Sequence, residues 1–338
     1  MHTLPMAQSS LLSPPAPLAR AKRAALVDFF YHWFSELEAQ GENTSFLLGS
    51  VCGTAQPTWV ELPHHSFDGL GGLAHALAAQ SGAELELPQL AGPYPGPLLR
   101  WAAALRLLFR RAPTLLAWRH ERHRLALQER PVAAWELLTI GQTGELRERA
   151  RREQVSMNAL FLHALTQALE PLLQGGTGNI EWVVPVNMRG LDPHLAPTDN
   201  QAATLDVYFP RNAPAALIDT KIRGELLRNA HFGVWQLLRA LGSVGPRLVR
   251  ALARRELKVR KHGSFSNLGN LHSSLRPSEP QWWLAFNPVQ RTRPIGAACL
   301  TYHGRLSLTL NVHPVLGLDD GAVQALVSDW RQRLLAVP

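Results

Sequence analysis

The sequence predicts an α/β (α+β) fold, with helices and strands alternating along a chain long enough for two similar halves or one large domain. Three observations predict it. Apolar residues recur at helical spacing over 21–40, 154–173 and 323–334, short strand-length runs rich in Val, Leu and aromatics lie between such windows, and Gly/Pro clusters punctuate both. The 338 residues are 46% apolar and 18% charged, near the globular average and far from the signature of a disordered chain.

Each element has a local reason. Residues 1–17 read as a flexible tail, followed by an amphipathic helix over 21–40 whose Leu26, Phe29, Phe30, Trp33, Phe34 and Leu37 share a face. Gly41 ends it, and 45–51 and 58–62 read as strands. A second helix runs on from Leu70 through Leu77 and closes at Ser81-Gly82. Pro88 to Pro97 is the clearest loop. Leu98 to Gln128 then gives two basic amphipathic helical stretches broken at Pro113, read as surface helices packed on the core, with a membrane-surface helix as the alternative. A connecting strand falls within 129–143. The next helix covers 154–173 with Ser156 or Asn158 as N-cap, and strands follow at 180–187 and 202–209. A helical region over 215–257 is interrupted around Gly242 to Pro246, and further strands are expected at 263–268, 282–286, 295–302 and 305–312. The last two are joined as a hairpin by His303-Gly304, and Asp319 or Asp320 caps a final helix.

The formal charge is +8, and all but four of the 34 basic residues are arginine. Guanidinium suits phosphate, carboxylate or acidic protein surfaces, so charge alone leaves those partners open. No zinc-finger spacing, aromatic RNA-binding signature or glycine-rich phosphate loop accompanies it, so nucleic acid is not expected. The two cysteines, Cys52 and Cys299, are too few for a disulfide framework and lack metal-site spacing. The first basic residues follow the apolar stretch of the N-terminus, the wrong order for a secretory signal, and no apolar run is long enough to span a bilayer. A cytoplasmic location is expected. His120 and His123 sit in a charge-rich stretch and read as solvent-facing, and Arg254, Arg255, Lys258, Arg260 and Lys261 read mainly as exposed faces, with contact to coenzyme A phosphates or to an acidic acyl carrier protein as the alternative.

The sharpest local signal is His64, with Asp68 four residues on and Gly69 next. Chance gives roughly 0.03 such patterns in a chain of this composition. It lies between an apolar strand and a glycine-rich helix start, where a turn can aim a side chain. A neutral imidazole can take a proton from a hydroxyl or amine that attacks an acyl carbonyl, and this is the role read for His64. The plainer alternative is a turn histidine that hydrogen-bonds a carbonyl. Asp68 either caps the following helix or is held by a buried arginine that fixes the loop. Glycines 69, 71 and 72 allow tight turning or close packing.

The sequence resembles the superfamily of nonribosomal peptide synthetase condensation domains, wax ester synthase/diacylglycerol acyltransferases, BAHD acyltransferases and chloramphenicol acetyltransferase. His64, Asp68 and Gly69 match its His-x-x-x-Asp-Gly motif. Gln154-Val-Ser-Met-Asn-Ala-Leu-Phe, Val184-Pro-Val-Asn-Met-Arg189, Asn200-Gln201, Phe265-Ser-Asn-Leu-Gly269 and Tyr302-His-Gly-Arg-Leu-Ser follow in the family's order, covering most of 60–335. The resemblance implies two chloramphenicol acetyltransferase-like subdomains in a V-shaped pseudo-dimer, placed at 18–145 and 146–338, with a tunnel to the histidine. It also implies His64 as general base, Asp68 as an architectural residue, Arg189 as its ion-pair partner, and Ser266 and Asn267 beside the tunnel. No metal is needed on this resemblance.

Two departures from the family pattern stand out. Pro63 occupies the position of a first histidine, and only 63 residues precede His64, which implies a trimmed N-terminal subdomain. The expected function is an acyltransferase taking its acyl group from coenzyme A or from the phosphopantetheine thioester of an acidic acyl carrier protein, with a small-molecule or lipid acceptor. The alternative is a non-catalytic condensation-like domain that binds a carrier protein or peptide. Peripheral membrane contact through the Leu98 to Gln128 region is a further expectation.

Overall fold

The computed structural model describes residues 25–53, 56–90, 92–111, 113–122, 129–275 and 278–336. The expected tail and His123 lie outside these residues. Helix α1 (Ala25–Ala39) buries Leu26, Phe29, Phe30 and Leu37, the face that the spacing predicts. Strands β1 (Ser45–Cys52) and β2 (Thr58–Pro63) form an antiparallel hairpin in which Leu48 opposes Val60 and Phe46 opposes Leu62. Helix α2 (Gly69–Ser81) follows, capped by Asp68 and closed by Gly82 in the left-handed region. Proline at the first turn starts α3 (Pro97–Leu108).

Residues 113–122 are not the second helix that their composition suggested. Leu116 and Trp118 are buried at alternate positions, and bridges from Leu115 to Asn179 and from Trp118 to Leu173 hold the segment extended. Strand β3 (Val132–Leu138) then ends at Thr139, whose hydroxyl forms a capping box with Gln142 and starts α4 (Ile140–Arg152). The sequence reading placed no helix there. The expected boundary at 145/146 falls inside α4.

Ser156 caps α5 (Met157–Leu169), and a 3₁₀ turn over Glu170–Leu172 carries Pro171. Strands β4 (Asn179–Asn187) and β5 (Ala202–Pro210) pair antiparallel. The expected helical region resolves into α6 (Ala215–Leu227), α7 (Ala230–Val244) and α8 (Pro246–Glu256). Strands β6 (Gly263–Leu271), β7 (Gln281–Phe286), β8 (Ile295–Tyr302) and β9 (Arg305–Val312) follow, and α9 (Asp320–Leu335) is capped by Asp319. His303 and Gly304 both have positive φ, as a two-residue hairpin turn requires.

The strands form two sheets. The larger, ordered β3-β9-β8-β6-β4-β5, is mixed, with β6 parallel to both β4 and β8. Its one face buries Leu160, Phe161 and Leu165 of α5 and Trp330 of α9 against Phe265, Cys299 and Leu308. The smaller sheet, ordered β2-β1-β7, packs with α2 on the other face, where Ala298, Leu300 and Tyr302 meet Phe46, Leu62 and Leu73. β7 therefore joins a hairpin more than 200 residues earlier, pairing Leu47 with Phe286 and Cys52 with Gln281. Hydroxyls from β9 satisfy carbonyls of β7: Ser307 donates to Trp283 O at 2.5 Å and Thr309 to Ala285 O. Among the described residues, no helix is long and apolar enough to cross a membrane.

Candidate active site

His64 lies in the turn between β2 and α2, half-buried, with its ring stacked on Phe34 of α1 (centroids 4.7 Å apart) and edge-on to Phe46 of β1. Its Nδ1 lies 2.9 Å from the carbonyl oxygen of Phe67. A carbonyl can only accept, so Nδ1 carries the proton and Nε2 presents its lone pair. The plain carbonyl contact is thus the bond that selects the basic tautomer. Burial pushes the His64 pKa down, opposed by the Phe67 carbonyl and the Asp68 charge, so the ring is neutral near pH 7.

Asp68 takes both of the roles that the sequence left open. Its Oδ1 accepts from Gly71 N at 2.8 Å, capping α2, while Arg189 donates through Nη2 to Oδ1 (2.6 Å) and through Nη1 to Oδ2 (2.9 Å). Oδ2 also accepts from Gln201 N at 2.8 Å. Arg189 is 1% exposed, and its remaining N–H groups reach Pro197 O, Asn187 Oδ1 and Asp199 O. All five donors are used, as burial of a guanidinium demands. The pair ties the histidine turn to the segment from β4 to β5, and Asn200 N donating to Ser66 O reinforces the tie.

Close packing accounts for the glycines. A Cβ on Gly71 would overlap the Thr198 carbonyl and come 2.9 Å from Arg189 Nη2, and one on Gly72 would strike the Phe46 ring. Gly69 meets only Leu268 at 3.3 Å, and none of the three has positive φ. Gly71→Ala is therefore expected to destabilise. The helix-propensity gain of about 1 kcal/mol is outweighed by overpacking against fixed backbone, at roughly 1–3 kcal/mol. A urea midpoint equal to or above that of the parent protein would contradict this.

The late Ser-Asn pair divides. Ser266 lies opposite Ala298, on the sheet face toward α2 and Leu268. Asn267 turns to α5, donating to Asn158 Oδ1 at 2.6 Å and accepting from Gly269 N. Three members of the basic run before it hold ion pairs. Arg254 pairs with Glu36 and Arg260 with Glu121, while Lys261, mostly buried, lies 3.1 Å from Asp206 and 3.4 Å from Glu256. Burial beside those acids lifts Glu181 to about 7. Arg254, Arg255, Lys258 and Arg260 are exposed, as expected, and Lys261 is the member of the run that is not.

Sequence reasoning assigned no role to Asn200 or Phe34 at the site. Asn200 donates to His64 O at 2.8 Å and lies 3.3 Å from Nδ1, fixing the turn from across the β4–β5 connection. Its position beside Gln201 carried a family signal without a function. Phe34 looked like one more apolar position of α1. No metal-holding group of three His, Cys, Asp or Glu occurs among the described residues.

Solved structures of similar shape exist at low identity. The trichothecene 15-O-acetyltransferase from Fusarium sporotrichioides superposes with a TM-score of 0.54 at 11% identity, over 93% of this chain and 75% of that one. The epimerization domain from the third module of tyrocidine synthetase B gives 0.52 at 15%, over 82% of this chain and 67% of that one. The condensation domain of the Monacolin K polyketide synthase gives 0.51 at 14%, over 84% and 70%. The chain has the condensation-domain, chloramphenicol acetyltransferase-like fold. No protein-family model matches the sequence, and no curated protein does. In this condensation-domain fold the two-sheet α+β architecture brings His64, Asp68 and Arg189 together through the stack of β1 and α2 on the larger sheet.

Proposed function

We propose that this chain transfers an acyl group from a thioester to a hydroxyl or amine, with His64 as the general base. The observation that carries the reading is the Nδ1 bond to Phe67 O, which leaves a neutral Nε2 as the basic nitrogen on a turn clamped by a buried ion pair. Nε2 takes the acceptor's proton as its oxygen or nitrogen attacks the thioester carbonyl. The tetrahedral oxyanion collapses, the C–S bond breaks, and the proton on Nε2 passes to the departing thiolate. The products are an ester or amide and a free thiol. Ser266, on the sheet face toward α2, is the hydroxyl proposed to orient substrate or to donate to the oxyanion. Asn267 acts at one remove by fixing the β6 bulge through Asn158.

The donor is coenzyme A or the phosphopantetheine arm of an acidic carrier protein, and the acceptor is a small molecule or lipid. Condensation domains and an O-acetyltransferase share the fold, which supports acyl transfer as the class of chemistry. The rival reading is a condensation-like domain that binds a carrier protein or peptide without turnover. One observation favours it: Phe34 covers a face of the imidazole. Incubation with a panel of acyl thioesters and nucleophiles separates the two. Thiol release and new ester or amide above the His64→Ala background supports transfer; carrier binding with equal background in both proteins supports the rival.

A further inference from the structure

Helix α3 is amphipathic with its large residues on the outside. It packs on α7 through Ala103 and Ala104, so tightly that a Cβ on Gly233 would come 2.7 Å from Ala103 backbone. Leu98, Trp101, Leu105, Leu108 and Phe109 fall within roughly 100° of arc on the outward side. Leu98 is 86% exposed and Phe109 82%. The sequence reading packed this face on the core; the small-residue face packs there instead.

The charge around the stripe has one sign. From residue 87 to 120 the chain has no Asp or Glu but has Arg100, Arg106, Arg110, Arg111 and Arg119. Arg110 is taken up by Glu225 and the Tyr208 ring. Arg106 and Arg111 are exposed and have no ion pair among the described residues. A second copy of the chain seated on this stripe would bring two sets of arginines together, while the adjoining Glu225 is already committed to Arg110 and Arg228. An anionic bilayer surface offers hydrocarbon for the leucines, an interface for Trp101 and phosphate for the guanidiniums. At 12 residues the helix is too short to span a bilayer and fits lying in its surface.

We propose that α3 is a membrane-surface anchor that docks this protein on anionic lipid, independently of the reaction at His64. The test is co-sedimentation of the full chain with vesicles of phosphatidylcholine alone and of phosphatidylcholine with phosphatidylglycerol, at low and high salt. Binding is expected on the anionic vesicles and is expected to weaken with salt. Leu105→Glu with Phe109→Glu is expected to lower partitioning at least about tenfold with an unchanged melting temperature. Arg106→Gln with Arg111→Gln keeps the apolar stripe and is expected to lose the preference for anionic lipid, and it decides the matter if the Glu variant does not fold. No binding to anionic vesicles, equal binding by both variants, or a dimer that the Glu variant dissolves would each overturn the proposal.

Discussion

Replacing Arg189 by Met is expected to cost about 3–5 kcal/mol, because it leaves the Asp68 carboxylate buried without its counter-charge. Domains of this kind are stable by about 5–15 kcal/mol, so that single change removes a large share. Two carbonyls and Asn187 Oδ1 also lose their donor. Arg189→Lys is expected to recover little, since three donors on a point charge cannot reproduce five in a planar fork. Asp68→Asn alone keeps a good N-cap for α2 and removes the charge. Combining it with Arg189→Met is expected to be less damaging than the sum of the two, and a double-mutant cycle on urea midpoints reads the coupling. The loss should be nearly independent of salt, because a pair with exposures of 1% and 5% is poorly screened. Additive costs, or an Arg189→Met protein as stable as the parent, would remove the clamp from the account of how His64 is held.

His64→Ala is expected to reduce turnover about 10²–10⁴-fold with little change in melting temperature, the range that a positioned base contributes. The pH profile tests the role more closely. Only neutral imidazole can accept the proton, and burial lowers the His64 pKa below its ordinary 6.5. kcat/KM should therefore fall on the acid side with a midpoint below 6.5 and be flat through neutral pH. Asn200→Ala removes the donor to the His64 carbonyl without touching the ring's bond to Phe67. An acid limb at or above 6.5, or full turnover without the imidazole, would point to a different base.

Local periodicity made much of this legible. The buried face of α5, the β8–β9 hairpin and the inward Val323, Val327, Trp330 and Leu334 of α9, with Leu326 partly buried beside them, follow from spacing and turn residues. The Asp68–Arg189 contact came from matching an acid to a distant arginine through family order. What spacing could not carry is pairing between remote strands. β7 beside β1 and β3 beside β9 are decided by which faces are covered, which no window of the sequence contains. α4 was missed because its buried set is only Thr143, Leu146 and Ala150 among charged neighbours. In 113–122 tertiary burial of Leu116 and Trp118 overrode helical propensity. Asn200 acts through one hydrogen bond from a loop, where there is no periodicity to read.

The pairing of β1 with β7 has a consequence for biosynthesis. The hairpin that presents the histidine turn is made early, yet its outer edge has no partner until residue 286 has been synthesised. During translation that edge waits as an open template, the kind that recruits neighbouring chains. Folding that depends on so remote a closure is slow. Any product ending before residue 281 keeps β1 uncovered and is destined for aggregates or for chaperones.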